Sequence, residues 1–306
     1  MKVAALAGGV GAARFLTGLV QVICPEDLTV IVNTGDDITL HGLHISPDID
    51  IVTYTLAGIV DEAKGWGIKD DTFQTLGMLK QLGEETWFNL GDKDLATHIY
   101  RTNRLRQGAT LAQVTDEIRR SLGVRAKILP MSNDRFETRV KTPMGSIHFE
   151  EYFVKRQCKE EFLGIELVGE DSAKPAPGVL AVISDADLVI VCPSNPIVSV
   201  GTILSLVSVR DALRRTKAKV VAVSPIVAGA TIKGPADKML RGCGFEVSAF
   251  GVAKFYSDFL DAIVIDSKDA ALKERIKKLE LAVTVTNTVM RSIADKVALA
   301  KAVLVS

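Results

Sequence analysis

The sequence predicts an α/β fold: a Rossmann-like, mostly parallel sheet with helices on both faces, carrying an inserted helical subregion and a β-hairpin. Three observations predict it. Residues 3–7, 28–32, 188–192, 220–223 and 262–265 are short runs that are apolar at successive positions, as strands covered on both faces are. Segments of helical periodicity separate most of these runs, which is the rhythm of βαβ units. Between about residues 48 and 170 that rhythm breaks into successive helical patterns and one alternating segment. The 306 residues are therefore expected to form one α/β domain with a helical and hairpin insertion at about 48–170.

Taken in order, residues 3–7 form a buried strand, a glycine turn follows, 12–22 reads as a helix, and 28–32 completes an opening βαβ unit. Helices are expected at 49–60, 72–82, 94–105 and 111–122, the last with Thr110 as its cap. Trp87-Phe88 reads as a short aromatic strand running through a Gly-Asp turn into the third of these helices. Residues 136–154 alternate around Pro143-Met-Gly145 as an antiparallel hairpin. Lys174-Pro-Ala-Pro-Gly178 then turns the chain back into the α/β core. A last short strand is expected at 282–285 and a closing helix at 289–303.

At 47% hydrophobic and 24% charged residues, with mean hydropathy +0.23, the chain can bury a large core. Lys plus Arg and Asp plus Glu both number 37, so no whole-protein field attracts nucleic acid or an anionic membrane, and any anion must be bound locally. Cys24, Cys158, Cys192 and Cys243 form no C-x-x-C pair, which argues against a zinc cage and a disulfide framework and for a reduced setting. No uninterrupted apolar run approaches the length of a membrane span, and the first residues are too short for a signal peptide. A soluble, cytoplasmic protein is expected, with no nucleic-acid or membrane partner.

Four segments carry candidate chemistry. Gly8-Gly9-Val10-Gly11-Ala12-Ala13-Arg14 follows a strand and opens a helix, where backbone N–H groups approach a phosphate. Arg14 replaces the third glycine of a dinucleotide fingerprint, and Asn33 stands where the ribose-binding acid would be, so NAD is disfavoured. Asn33-Thr-Gly-Asp-Asp37 through Pro47-Asp-Ile-Asp50 places four carboxylates, Asp36, Asp37, Asp48 and Asp50, within fifteen residues, a density suited to Mg²⁺. His41 and His44 lack a third metal-spaced partner and are expected in packing or surface roles. In Trp87-Phe-Asn-Leu-Gly-Asp92, Asn89 can read a heterocycle edge, while Asp92 caps the helix. Pro193-Ser194-Asn195-Pro196 forms an anion or nucleobase cradle at a strand's carboxyl end, with Ser224-Pro225 and Lys233-Gly-Pro235 following it.

These segments, together with His41-Gly-Leu43 and Leu95-Ala-Thr-His98, resemble the 2-phospho-L-lactate transferase family in order and spacing. The resemblance implies Mg²⁺ as cofactor and two substrates, a GDP-linked three-carbon acid as donor and 7,8-didemethyl-8-hydroxy-5-deazariboflavin as acceptor, whose ribityl hydroxyl displaces GMP in coenzyme F-420 biosynthesis. It further implies that Asp50 and Asn89 bind the acceptor, and that Gly8, Gly9, Gly11, Arg14, Ser194, Asn195 and Pro196 bind the nucleotide. Asp36 and Asp50 are the expected catalytic residues, Asp50 as proton acceptor, and Asp36, Asp37 and Asp50 the expected metal ligands, with no choice among them. Apolar surface on the helical subregion and hairpin suits a homodimer. Two competing readings are a non-catalytic nucleotide-sugar-binding regulator and a NAD-dependent oxidoreductase.

Overall fold

A computed structural model describes all residues, 1–306. The chain opens with β1 (Val3–Ala7), α1 (Gly9–Leu19) and β2 (Leu28–Val32), followed by a small hairpin, β3 (Ile38–Leu40) and β4 (Leu43–Ile45). Four helices come next: α2 (Pro47–Leu56), α3 (Gln74–Gln81), α4 (Asp92–Arg106) and α5 (Leu111–Ser121). After β5 (Lys127–Pro130), strands β6 (Glu137–Thr142), β7 (Gly145–His148) and β8 (Gly164–Val168) form a separate antiparallel sheet in the order β7-β6-β8. The α/β rhythm resumes through α6 (Val179–Asp185), β9 (Leu188–Val191), α7 (Gly201–Ser205), α8 (Val207–Arg215) and β10 (Lys219–Val223). It ends with the two-residue strands β11 (Ile226–Val227) and β12 (Ala230–Thr231), then α9 (Ala236–Gly242), α10 (Ala249–Tyr256), β13 (Ala262–Asp266), α11 (Lys273–Lys277), β14 (Ala282–Thr286) and α12 (Ile293–Leu304).

The main sheet has seven strands in the order β14-β13-β10-β9-β1-β2-β5, and every pairing in it is parallel. Alternate side chains feed two cores. Leu6, Ile31, Val189, Val191 and Ile263 face a layer containing Ile183, Val209, Leu240, Val252 and Tyr256, while Val3, Ala5, Val30, Ile190 and Val264 face Phe15, Leu16, Leu19, Leu299 and Val303. This two-sided cover explains why the strands are apolar throughout, and it bears out the expected α/β class. Sequence order reverses at β1, whose neighbours are β2 and β9, so the crevice at its carboxyl end is the switch point where such sheets bind ligands.

Several local expectations differ from what forms. The segment at 38–45, to which the sequence pattern assigns no element, is a hairpin whose turn residues His41 and Gly42 have φ of 51° and 74°, the paired positive φ of a tight two-residue turn. Trp87-Phe88 is not a strand but irregular chain held by edge-to-face packing of the two rings at 5.7 Å. The hairpin's second strand stops at His148, and residues 151–155 coil into a helical turn that returns Glu150 to the main sheet's edge. β5 and β8 were not foreseen; β5 is only four residues long and ends on Pro130, tolerated because β5 is the edge strand. No single helix is long and apolar enough to cross a membrane.

Candidate active site

The loops after β1, β2, β9, β10 and β14 all emerge at the carboxyl edge of the sheet and, with α2, α4 and the turn at 149–154, enclose a cavity of about 1000 Å³. Gly8, Gly9, Gly11, Arg14, Ser194 and Asn195 line it. The first and third of these loops interlock: Gly8 N donates to Ser194 Oγ at 3.2 Å, and a Cβ on Gly11 would run into the Pro193 carbonyl. A Cβ on Gly8 would meet Ser199 Cβ at 2.6 Å and Asp48 Oδ2 at 2.8 Å, so glycine is required there. Pro196 is buried and does not line the cavity; it starts the helical turn that Asn195 caps by accepting from Ile197 N at 2.9 Å.

Cations gather at this end. Arg14, Lys233, Arg291 and Lys296 line the cavity, and Lys233 is held below the usual lysine range by burial and by the neighbouring Arg14 charge. Lys233 Nζ also donates to the Lys64 carbonyl at 3.2 Å, tying the 61–67 loop, with Trp66 on the cavity wall, across the opening.

The carboxylates separate into three environments. Asp36, Asp48 and Glu150 form a buried cluster organised by Asn33, whose Nδ2 donates to Asp36 Oδ2 at 3.1 Å and Asp48 Oδ2 at 2.9 Å. Burial, and then the neighbouring negative charges, push Asp36 up, Asp48 to about 7 and Glu150 to about 8. Asp36 Oδ1 has no hydrogen-bond partner. Asp37, expected beside Asp36 as a metal ligand, does not line the cavity: its Oδ2 accepts from His44 Nε2 at 2.9 Å and Ser46 Oγ at 2.8 Å. That bond also gives His44 its packing role. Asp50 lines the cavity but is the two-toothed partner of Arg101, a fully buried arginine on α4. The expected trio of Asp36, Asp37 and Asp50 is thus dispersed, because α2 turns Asp50 toward α4 and the β3-β4 hairpin takes Asp37. No set of three or more His, Cys, Asp or Glu side chains is gathered tightly enough to cage a metal ion.

Beyond the cluster the wall turns aromatic and apolar, with Ile45, Tyr54, Phe88, Phe149 and Phe153, and Asn89 is exposed at its rim. Asp48, counted among the four clustered carboxylates but given no role of its own, belongs to the site, and Tyr54, Asp94, Glu150 and residues 288–291 line it, with Arg101 behind them, without having been singled out. Asp94, His98 and Arg101 had a readable signal, since spacing of four and then three puts them on one helical face. Glu150 had none, because only the turn after β7 brings it back to the sheet.

With this geometry in place, comparison with known proteins is direct. Residues 3–302 match the family described as 2-phospho-L-lactate transferase CofD. The chain is 46% identical over 278 residues to a phosphoenolpyruvate transferase of Kitasatospora aureofaciens, covering 88% of this chain and 86% of that one. It is 42% identical over 286 residues to a 2-phospho-L-lactate transferase of Methanococcoides burtonii, with coverage of 94% and 93%, and 41% identical over 303 residues to that of Methanocaldococcus jannaschii, with coverage of 98% and 96%. Among solved structures, a UPF0052 family member from Bacillus halodurans superposes with a TM-score of 0.68 at 17% identity, over 99% of this chain and 98% of that one, a likeness of fold alone. Since the family match runs from β1 to within α12 and so takes in every loop of the cavity, this chain is a transferase belonging to the 2-phospho-L-lactate transferase CofD family.

Proposed function

We propose that this protein moves a 2-phospholactyl group, or a related three-carbon phospho-acid, from a GDP-linked donor to the ribityl hydroxyl of 7,8-didemethyl-8-hydroxy-5-deazariboflavin in coenzyme F-420 biosynthesis. The observation that carries the reading is the continuity of one cavity between two unlike ends. The glycine-loop end, with Arg14, Lys233 and the Ser194-Asn195 turn, suits a nucleoside diphosphate. The other end, carboxylates flanked by Tyr54, Phe88, Phe149 and Phe153, suits a hydroxyl-bearing chain attached to a flat heterocycle. The relatives named for phosphoenolpyruvate and for 2-phospholactate leave two candidates for the three-carbon group.

In this reading the acceptor's hydroxyl oxygen attacks the phosphorus bearing the three-carbon acid, the bond to GMP breaks, and the hydroxyl proton passes to a carboxylate. In-line positioning and charge neutralisation are the main demands on the protein. We assign the proton to Glu150, which lines the cavity; burial raises it to about 8, so it acts in its ionised form and turnover should rise with pH through that value. Asp50, first expected in that role, already holds Arg101 and is assigned to acceptor binding with Asn89. Mg²⁺ fits Asp36 and Asp48, since Asp36 Oδ1 is buried without a partner and a cation relieves their mutual repulsion; two protein oxygens, with water and phosphate, make a usual Mg²⁺ site. When bound, that ion neutralises the diphosphate charge.

The test is GMP release from lactyl-diphosphoguanosine and from its phosphoenolpyruvyl counterpart, with Mg²⁺, with and without the deazariboflavin. Release that requires the acceptor is expected. Tight GDP binding with no release from either donor would overturn the reading in favour of a non-catalytic nucleotide binder.

A further inference from the structure

The Leu95-Ala-Thr-His98 segment, and the arginine one turn beyond it, are unused by the reaction as described so far. Asp94, His98 and Arg101 lie along the face of α4 that meets α2, and all are buried, Arg101 completely. An arginine taken fully out of water needs a partner. Arg101 has Asp50: Nη1 donates to Asp50 Oδ2 at 3.0 Å and Nη2 donates to Oδ1. Arg101 Nη1 also lies 3.3 Å from His98 Nδ1. Guanidinium has no acceptor atom, so His98 Nδ1 accepts and the imidazole proton sits on Nε2. That Nε2 lies 3.3 Å from Asp94 Oδ1 but off the direction of a hydrogen bond, and the same Asp94 oxygen accepts from Tyr54 OH at 2.7 Å.

The chain Tyr54–Asp94–His98–Arg101–Asp50 therefore bridges α2 and α4. Its members do not share one exposure: Tyr54, Asp50, Asp94 and His98 line the cavity, whereas Arg101 stands behind them. Arg101 is the only hydrogen-bond donor to the two Asp50 oxygens, so this cavity-lining carboxylate keeps the capacity to accept further bonds. It also offsets the Asp50 charge, so that this carboxylate can stand in the same cavity as a diphosphate without repelling it.

We infer that Arg101 and His98 are positioning residues of the acceptor subsite: from the buried face of α4 they fix Asp50 as a hydrogen-bond acceptor for the hydroxyl-bearing chain of the acceptor. The inference rests on the acceptor reading given above. Arg101 sets the carboxylate plane through its two-toothed grip, and His98 wedges the guanidinium against rotation. Neither touches the reacting atoms.

Arg101→Lys tests it, because lysine retains the buried charge but supplies a single point donor instead of the planar fork. His98→Gln is the second variant, keeping an acceptor for Arg101 while removing the ring. Deazariboflavin fluorescence titration gives acceptor affinity, GDP titration gives donor-site affinity, and steady-state GMP release separates KM for the acceptor from kcat. For Arg101→Lys we expect an acceptor Kd and KM raised about tenfold, with GDP affinity unchanged within about twofold and a melting temperature close to wild type. His98→Gln should show the same pattern at smaller size. Unchanged acceptor affinity in a folded Arg101→Lys protein, or equal losses of acceptor and GDP affinity in both variants, would overturn the inference. If wild type binds the deazariboflavin without releasing GMP, the proposed reaction fails while the binding comparison still decides the positioning role. If wild type does not bind it, both fall.

Discussion

A carboxylic acid withdrawn from water and set beside others holds its proton, and Asp48 and Glu150 show the effect at about 7 and about 8. In the unfolded chain both ionise near pH 4. The folded state thus retains protons that the unfolded state has released, and stability is highest below about pH 4 for these two groups and is lost as pH rises through about 7 to 8. Melting temperature in EDTA should therefore fall between pH 5 and 8.5, Asp48→Asn with Glu150→Gln should flatten that slope, and Mg²⁺ should restore stability chiefly at the alkaline end. A flat wild-type profile in EDTA would refute the cluster's charge state. The Glu150→Gln protein should also lose roughly 10² to 10⁴ in kcat with GDP affinity retained, if it takes the hydroxyl proton. Two glycines separate steric from conformational need. Gly11→Ala drives a methyl into the Pro193 carbonyl and should cost about 1–3 kcal/mol in urea unfolding. Gly77→Ala, inside α3 with nothing within 4 Å, should instead stabilise by about 0.5–1 kcal/mol.

At the scale of elements, helices α3 and α4 cap each other. Asp92, expected to cap its own helix, α4, instead accepts from Gln74 N and Thr75 N at the start of α3, both at 3.0 Å. Asp71, just before α3, accepts from Lys93 N at 2.8 Å and Asp94 N at 3.1 Å at the start of α4. Asp71→Ala should remove about 1 kcal/mol and raise amide exchange in the first turn of α4, the turn that carries Asp94; exchange confined to α3 would contradict the crossed arrangement. Elements were legible where the signal is local. Thr110 and Gln113 form the capping box that starts α5, as the Thr110 cap foretold, and the apolar runs of β1, β2, β9, β10 and β13 stand where expected. β8 and the β3-β4 hairpin were not, because their residues are amphipathic and their identity depends on partners elsewhere: β8 pairs only with β6, and the turn at His41-Gly42 places a non-glycine residue at positive φ.

For the whole molecule, the glycine loop and the Ser194-Asn195 turn could be found in the sequence because each reports its own backbone. The carboxylates could not be sorted there, because what distinguishes Asp50 from Asp48, two residues away on the same helix, is Arg101 on another helix and Glu150 beyond β7. Since the cavity is assembled from loops spread between Gly8 and Lys296, a nucleotide that spans them should stabilise the fold globally. GDP at about a hundred times its Kd should add about 2.7 kcal/mol to unfolding, and the gain should be lost with Arg14→Ala if Arg14 binds the diphosphate. The position of β1 has a further consequence, one of timing. It lies inside the sheet, but its second neighbour is β9, so the strand that anchors the glycine loop keeps an open edge until residues 188–191 have been synthesised. At ordinary ribosomal speeds that interval is roughly 10–40 s, during which the apolar run Val3–Ala7 depends on β2 and any bound chaperone to be kept from pairing with another chain.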